Sequence, residues 1–317
     1  MKSQQFVHLH VHSNYSFPPH GLSSIKQLVD KAIACHMPGM ALTDNGNMFG
    51  SKEFFDYCNE VNQGKADNEK FKPIFGCEVY CAHRGLHYKE NFALDGRGWH
   101  LVLLAKNEMG YHNLMRIVNE AWNDGYYVRP RTDHNSIEKY HEGLIATSAC
   151  LAGEIPSYIS KGQLEEAEKS VEWFKTVFGD DFYIELMRHE VKDSTQRANR
   201  DIFETQKAIE PALLDLARKH NVKFICSNDS LFADKEDAET HDDMICVVTQ
   251  KEKNDPSRIL YSKQEWLKTP EEMAEVFSDI PEALANTIEV FNKVEIYHLD
   301  QFQEIPSDLK HVIPNRY

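Results

Sequence analysis

Long apolar runs and regularly paired cysteines are both missing from this sequence of 317 residues. No apolar run approaches the ~20 residues of a membrane-spanning helix, and the opening MKSQQ lacks the apolar stretch of a signal peptide. We therefore expect a cytoplasmic protein with no membrane partner. The seven cysteines are odd in number and scattered, which is typical of reduced thiols and not of a disulfide framework.

Positive charge is scarce as well. Lysine and arginine together number 35 against 50 aspartates and glutamates, so the formal net charge is −15. Tight binding to nucleic acid normally requires a basic patch that neutralises phosphates, and no such patch is evident in the sequence. The composition therefore argues against an autonomous, tight DNA binder, and any role on DNA would need basic partner domains or metal ions.

The segment from Phe6 to Gly21, FVHLHVHSNYSFPPHG, carries the strongest pattern. His8, His10 and His12 alternate with aliphatic residues, and in a β-strand this spacing places all three imidazoles on one face. Clustered neutral imidazoles are typical ligands of a divalent metal. The alternative is a polar strand face whose histidines are satisfied by hydrogen bonds.

Short apolar segments alternate with amphipathic segments through most of the chain. The predicted strands cover 5–12, 38–43, 72–81, 99–105, 143–148, 181–187 and 222–227, and the predicted helices include 23–36, 48–62, 108–123, 163–178 and 197–220. This alternation predicts parallel strands covered by helices, and seven strands suit a closed barrel. Beyond about residue 234 the pattern changes to helices without strands.

A series of motifs resembles the PHP (polymerase and histidinol phosphatase) domain of bacterial replicative DNA polymerase III alpha subunits. In order, they are HLHVHSNYS, SIKQLVDKA, MPGMALTDNGNMFG, FKPIFGCEVY, HLVLLAKNEMGYHNL, GYYVRPRTDH, TSACLAGEI and CSNDSLFADKEDAETHD. The resemblance implies an α/β fold, a distorted seven-stranded β/α barrel with a helical C-terminal extension. It divides the chain into a PHP barrel over 1–234, a helical linker over 235–297 toward a polymerase palm absent from this chain, and an extended tail over 298–317.

The resemblance also implies a metal site, which we transfer position by position. One ion would be held by His10, His12, Glu78 and Asp229, and a second by Glu78, His100 and Cys150. Two ions ~3.5–4 Å apart can activate a water and clamp a phosphoryl oxygen. The candidate catalytic residues are Glu78, His12 and Asp229, and the expected ions are Zn²⁺ or Mn²⁺, with Mg²⁺ or Fe²⁺ as alternatives.

Three positions depart from the family pattern, and all three belong to its third metal site. His20 stands where the family has an aspartate, so it is a candidate ligand. Asn45 and Leu231 replace two histidines, and the leucine cannot bind a metal. The sequence therefore predicts a partly degraded site with two ions.

Taken singly, the candidate ligands have structural alternatives. Glu78 could be an exposed strand carboxylate, Cys150 a small buried hydrophobe, and Asp229 a loop cap. His8 is better explained as a core or supporting group. His189 could contact substrate or be a solvated histidine.

Three functions are compatible with these observations. The first is a metal-dependent phosphoesterase, expected to act as a 3′–5′ exonuclease on DNA ends. The second is a catalytically weak structural module that contacts other replicative polymerase domains and a proofreading subunit. The third, less favoured because residues 108–155 resemble the polymerase branch, is a histidinol-phosphate-type phosphatase. In each case the chain alone should bind DNA weakly.

Overall fold

A computed structural model describes residues 5–17, 20–191 and 196–299. Its strands are β1 Gly39–Leu42, β2 Lys72–Cys81, β3 Trp99–Ala105, β4 Arg131–Thr132, β5 Leu144–Thr147, β6 Phe182–Leu186 and β7 Lys223–Cys226. Its α-helices are α1 Ile25–Ala34, α2 Ser51–Val61, α3 Phe92–Asp95, α4 Glu108–Asn123, α5 His134–Lys139, α6 Glu154–Ser160, α7 Leu164–Phe178, α8 Glu204–Lys219, α9 Ala238–Thr249, α10 Pro270–Val276 and α11 Pro281–Lys293. A π-helical turn, Asn199–Phe203, precedes α8.

Six of the seven predicted strands are confirmed, and β4 was missed because a two-residue strand has no periodicity to detect.

The strands form a curled, mixed sheet with helices packed around it, as expected for this fold class. Its order is β1-β2-β3-β5-β6-β7, with β4 paired to β2. The expectation of purely parallel strands is wrong, because β3 runs antiparallel to both β2 and β5. The start of β3 therefore lies at the same edge of the sheet as the ends of β2 and β5.

The segment over residues 6–12 is extended but is not a regular strand, contrary to the prediction for 5–12. Its backbone bridges the two edges of the curled sheet. The Ala41 amide of β1 donates to the His8 carbonyl at 2.9 Å, while the Ser230 amide, beyond β7, donates to the His10 carbonyl at 3.1 Å.

The predicted common face of the three histidines is also not found. Leu9 packs in the apolar cluster that fills the inside of the curled sheet, whereas Val11 packs in the cluster between the sheet and the surrounding helices. Side chains two residues apart therefore do not stay on one face along this segment. His8 instead directs its Nε2 to the Lys268 carbonyl oxygen at 2.8 Å. It is a buried structural group, as the sequence favoured.

Two apolar layers hold the sheet. The larger lies between the sheet and the surrounding helices, and the smaller fills the inside of the curl. Val290 of α11 and Val294 belong to the inner layer, and Asn286 donates to the Phe224 carbonyl oxygen at 2.8 Å. The region 235–297 does contain helices, and α11 packs directly on the sheet. The division into domains stays a prediction.

The predicted extended tail, 298–317, lies outside the described residues except for its first two positions. Among the helices of the described part of the chain, none combines the length and the apolar character that a bilayer crossing requires.

Lys268 is a buried cation at the junction between the sheet and the C-terminal helices, only 3% exposed. Its Nζ donates to Asn228 Oδ1 at 3.0 Å and lies 3.7 Å from the centroid of the Trp266 ring. Burial lowers the pKa of Lys268 to about 7, an effect that the nearby Glu265 carboxylate opposes only in part. The folded chain therefore disfavours the ammonium form.

This burial predicts a pH dependence of stability. Between pH 7 and about 10 the unfolded chain binds more protons at Lys268 than the folded chain does, so stability from this residue rises with pH. We expect the free energy of unfolding of the wild type, minus that of Lys268→Met, to increase by up to about 1.4 kcal/mol per pH unit. Urea unfolding at pH 7, 8 and 9 measures this difference.

The matched control is Lys52→Met, since the Lys52 side chain is 65% exposed. The free energy of unfolding of the wild type, minus that of Lys52→Met, should not change with pH over this range. If the corresponding difference for Lys268→Met stays constant or decreases as the pH rises, the lysine stays charged in the folded protein.

Candidate metal centre

Four predicted ligands converge at one edge of the curled sheet. The Nε2 atom of His10 lies 3.4 Å from Glu78 Oε1 and 3.6 Å from Asp229 Oδ1. The Nε2 atom of His12 lies 3.7 Å from Glu78 Oε2 and 3.0 Å from Asp229 Oδ1. His10, His12 and Glu78 are each at most 2% exposed.

Glu78 also contacts a second group of predicted ligands. Its Oε1 lies 2.8 Å from His100 Nδ1, which in turn lies 3.8 Å from Cys150 Sγ. Ligand atoms from Glu78, His100 and Cys150 lie within 4.8 Å of one another, as do those from His10, His12 and Glu78. The shared member of the two groups is the carboxylate assigned as the bridge.

The strand directions explain this convergence. Glu78 lies near the end of β2, Cys150 follows β5 and Asp229 follows β7. His100, in contrast, lies at the beginning of its strand. Since β3 is antiparallel to β2, the start of β3 lies beside the end of β2, and His100 pairs with Tyr80 there.

A ring of polar side chains fixes the orientation of the histidines. His10 Nδ1 lies 2.9 Å from Glu185 Oε1, whose other oxygen accepts from Thr147 Oγ1 at 2.6 Å. His12 Nδ1 lies 3.3 Å from Ser16 Oγ, which donates to Asp44 Oδ1 at 2.9 Å. With each Nδ1 engaged outward, the Nε2 atoms of both histidines face Glu78 and Asp229.

Sequence reasoning missed Glu185, Ser16 and Asp44. A signal for Glu185 existed, because it is a charged residue within the otherwise apolar strand Phe182–Leu186. Asp44 lies inside the TDNGN motif, directly before Asn45, which the sequence analysis did consider. Each acts through another side chain, so a comparison restricted to ligand positions does not find them.

Two ligand-bearing loops contain residues in the left-handed backbone region. Asp229 has φ +44°, and Ala149, directly before Cys150, has φ +57°. This conformation is unfavourable for residues other than glycine, although aspartate tolerates it better than alanine does. Strain of this kind is concentrated at functional sites, where surrounding contacts enforce it.

The electrostatics of the centre suit a cation. Burial by itself would lower the pKa of His10, but Glu185, Asp229 and Glu78 together raise it well above its usual value. Burial would raise the pKa of Asp229, but His10 and His12 bring it down to about 2. The carboxylates therefore stay ionised in a largely buried site, where positive charge, from His10 or from a bound cation, stabilises them.

The residues present fit divalent metal ions. His10 Nε2 is buried and has no hydrogen-bond partner among the described residues, although carboxylate oxygens lie 3.4 and 3.6 Å away. This is the arrangement expected of a ligand nitrogen that shares an ion with two carboxylates. Imidazole, carboxylate and thiol donors also match the ligand set of zinc or manganese.

Of the three divergent positions, Asn45 contacts the bridging carboxylate directly. The Asn45 side-chain amide donates to Glu78 Oε2, and Leu231 is buried with Phe232 and Trp266. His20 belongs to neither ligand group, and its Nδ1 lies 3.3 Å from the Tyr261 hydroxyl. Its role as a ligand stays a prediction.

His189 is 4% exposed, so its interpretation as a solvated histidine is wrong. Its Nε2 lies 3.0 Å from the Asn228 carbonyl oxygen, and its Nδ1 lies 3.2 Å from Gln206 Nε2. The ring therefore supports the loop that carries Asp229.

Comparison with known proteins agrees with the resemblance seen in the motifs. The chain is 39% identical over 296 residues to DNA polymerase III subunit alpha of Borreliella burgdorferi and 35% identical over 298 residues to that of Treponema pallidum. Each alignment covers 93% of this chain and 24% of the relative, so the chain spans about a quarter of their length.

A solved structure, the lesion-specific endonuclease from Pyrococcus furiosus, matches with a TM-score of 0.39 at 15% identity, covering 72% of this chain and 48% of that one. That likeness is too distant to support a further conclusion. The sequence pattern of the PHP domain, in contrast, matches residues 8–189, more than half of the chain. The chain therefore belongs to the PHP domain family, in the form found in DNA polymerase III alpha subunits.

Proposed function

We propose that this chain is a metal-dependent phosphoesterase that hydrolyses phosphodiesters at DNA 3′ ends, within a DNA polymerase III alpha subunit. The observation that carries the proposal is the position of Glu78 between two ligand groups, one with His10 and His12, the other with His100 and Cys150. A carboxylate shared in this way is the arrangement that two-metal phosphoester hydrolysis needs. We also propose the other polymerase domains and a proofreading subunit as partners.

The bound ions would supply an activated water and charge stabilisation at the phosphoryl oxygens. The chain itself contributes orientation. Glu185 and Ser16 hold His10 and His12 with their Nε2 atoms facing the centre, and the buried oxygens of Glu78 lie between the two ligand groups. Positioning of this kind is a large part of catalysis, because the ligands need no reorganisation during the reaction.

Among the described residues, the proposed ligands Asp229 and His100 offer access to substrate. The side chains of Asp229 and His100 are 19% and 14% exposed, whereas those of His10, His12 and Glu78 are nearly inaccessible. Arg129 lies near this opening, with its guanidinium 4.8 Å from the centroid of the Tyr80 ring, which itself contacts His100. In a chain of net charge −15, this cation is a suitable contact for a substrate phosphate.

A second function, a structural module with little catalytic activity, is favoured by Asn45 and Leu231. The Asn45 amide occupies one oxygen of Glu78, and the buried Leu231 offers no donor atom. Both changes weaken the side of the centre at which a further ion would bind and orient a phosphate. Slow hydrolysis is therefore expected even if the first proposal is correct.

The bridging role of Glu78 predicts a specific metal stoichiometry. Glu78→Ala should lose two equivalents of bound metal relative to wild type, and Cys150→Ala should lose one, because only Glu78 belongs to both ligand groups. Elemental analysis after gel filtration measures the difference, and anomalous scattering locates the ions. Glu60→Ala, which changes an exposed carboxylate on α2, is the control. Unchanged metal content in Glu78→Ala, or a third ion coordinated beside Asn45, would contradict the assignment.

The contact between Glu185 and His10 predicts an effect on affinity without an effect on stoichiometry. Glu185→Gln should weaken metal binding by about 10-fold or more, because the neutral amide no longer increases the basicity of the imidazole. Competition with a chelator of known affinity measures the change. Glu289→Gln, at a half-buried carboxylate that pairs with Lys223 away from the centre, should leave the affinity unaltered. Equal affinity in both variants would exclude a role for Glu185.

Restoring the two lost histidines tests whether the centre is a weakened enzyme. Asn45→His together with Leu231→His should raise hydrolysis of p-nitrophenyl phosphate and of single-stranded DNA 3′ ends by more than the product of the single changes, since both rebuild one site. His12→Ala and added chelator should abolish the activity. Protein that binds metal yet hydrolyses neither substrate, even with both histidines restored, would favour the structural module.

A further inference from the structure

A second cluster of metal-ligating side chains lies outside the centre described above. It consists of Cys81 at the end of β2, His134 at the start of α5 and Glu154 at the start of α6, and one ligand atom from each lies within 4.8 Å of the others. Glu78 points to the inside of the curled sheet, whereas Cys81, three residues later, belongs to the layer outside it. The two clusters therefore lie on opposite faces of the same strand.

The three side chains are already oriented toward one another. His134 Nε2 lies 2.8 Å from Glu154 Oε2, and the His134 ring stacks on Trp173 with centroids 4.0 Å apart. The other Glu154 oxygen accepts from Ser170 Oγ at 2.7 Å, which fixes the carboxylate. Supporting contacts behind ligands, here behind His134 and Glu154, are characteristic of built metal sites.

Burial distinguishes this cluster from an ordinary surface ion pair. Cys81 is 1% and Glu154 7% exposed, while the side chain of His134 is 36% exposed. The cluster thus combines a buried carboxylate and a buried thiol with one half-exposed imidazole. The exposed edge of His134 leaves room for water as a fourth ligand.

We propose that Cys81, His134 and Glu154 bind a divalent cation of the zinc type, with water completing a tetrahedral shell. The donor set of thiolate, imidazole and carboxylate is one that zinc accepts. Tetrahedral bonds of ~2.0–2.3 Å place ligand atoms about 3.3 to 3.6 Å apart, so small side-chain shifts convert the present arrangement into a bound one. Binding releases the Cys81 thiol proton to solvent.

The position of the cluster gives the ion a structural role. Glu78 precedes Cys81 by three residues and Cys150 precedes Glu154 by four, so one ion would connect the two chain segments that carry ligands of the main centre. The connection runs over the outer face of the sheet. This proposal does not depend on the phosphoesterase activity, and metal binding alone tests it.

The experiment uses cobalt(II) as the probe, because a cobalt–thiolate bond gives a charge-transfer band in the near ultraviolet. The chain is stripped of metal, kept under reductant and titrated in a Cys150→Ala background, which removes the thiol of the main centre. We expect the band to persist in this background. Adding Cys81→Ser should abolish it and remove one equivalent of bound cobalt.

Two further variants make the result decisive. Adding His134→Ala, at a half-exposed position, should also remove one equivalent and at least weaken the band. Adding Cys246→Ser, which removes a partly exposed thiol on α9, should change neither quantity. If Cys81→Ser and His134→Ala both keep the full equivalents and the band, the site does not exist. If Cys81→Ser removes one equivalent of cobalt and His134→Ala removes none, the proposed ligand set is wrong.

Discussion

The burial of the Glu78 carboxylate is the constraint around which this chain is organised. A charged carboxylate at 2% exposure costs several kcal/mol unless cations or hydrogen-bond donors surround it. Imidazoles of His10 and His100 approach one oxygen and the Asn45 amide binds the other. Burial would raise the pKa of Glu78, but His100 and His10 hold it well below the usual value, so the carboxylate is ionised. Glu185 and Ser16 in turn contact His10 and His12 beside this carboxylate.

The mixed sheet makes this arrangement feasible. In a purely parallel barrel, ligands would come only from the loops that follow the strands. Here β3 is reversed, so His100 reaches the same edge from the beginning of its strand and pairs beside the end of β2. The opposite end of the sheet interior is filled by apolar residues, including Val290 from α11. The interior of the curled sheet is thus polar at one end and apolar at the other. Helix α11 completes the apolar end.

The fold accommodates the residues at the divergent positions in different ways. Asn45 donates to the Glu78 carboxylate, and Leu231 packs with Phe232 and Trp266. Leu231 is accommodated in this apolar cluster, whereas the buried Oδ1 of Asn45 has no hydrogen-bond partner among the described residues. The backbone at Asp229 and Ala149 lies in the left-handed region, directly beside the proposed ligand positions. Strain of this kind is typical of functional sites, which agrees with the proposed metal centre.

The sequence alone determined the family, six of the strands and which residues are candidate ligands, because hydrophobic periodicity and motif order are local properties of the chain. It misplaced the three histidines on one face, since a regular strand was assumed where the segment over 6–12 instead bridges two sheet edges. The direction of β3, the support of His10 by Glu185, and the approach of His134 and Glu154 to Cys81 depend on contacts between residues far apart in the chain. Such contacts follow from how strands pair and helices pack, and no local pattern encodes them, so only the tertiary structure decided them.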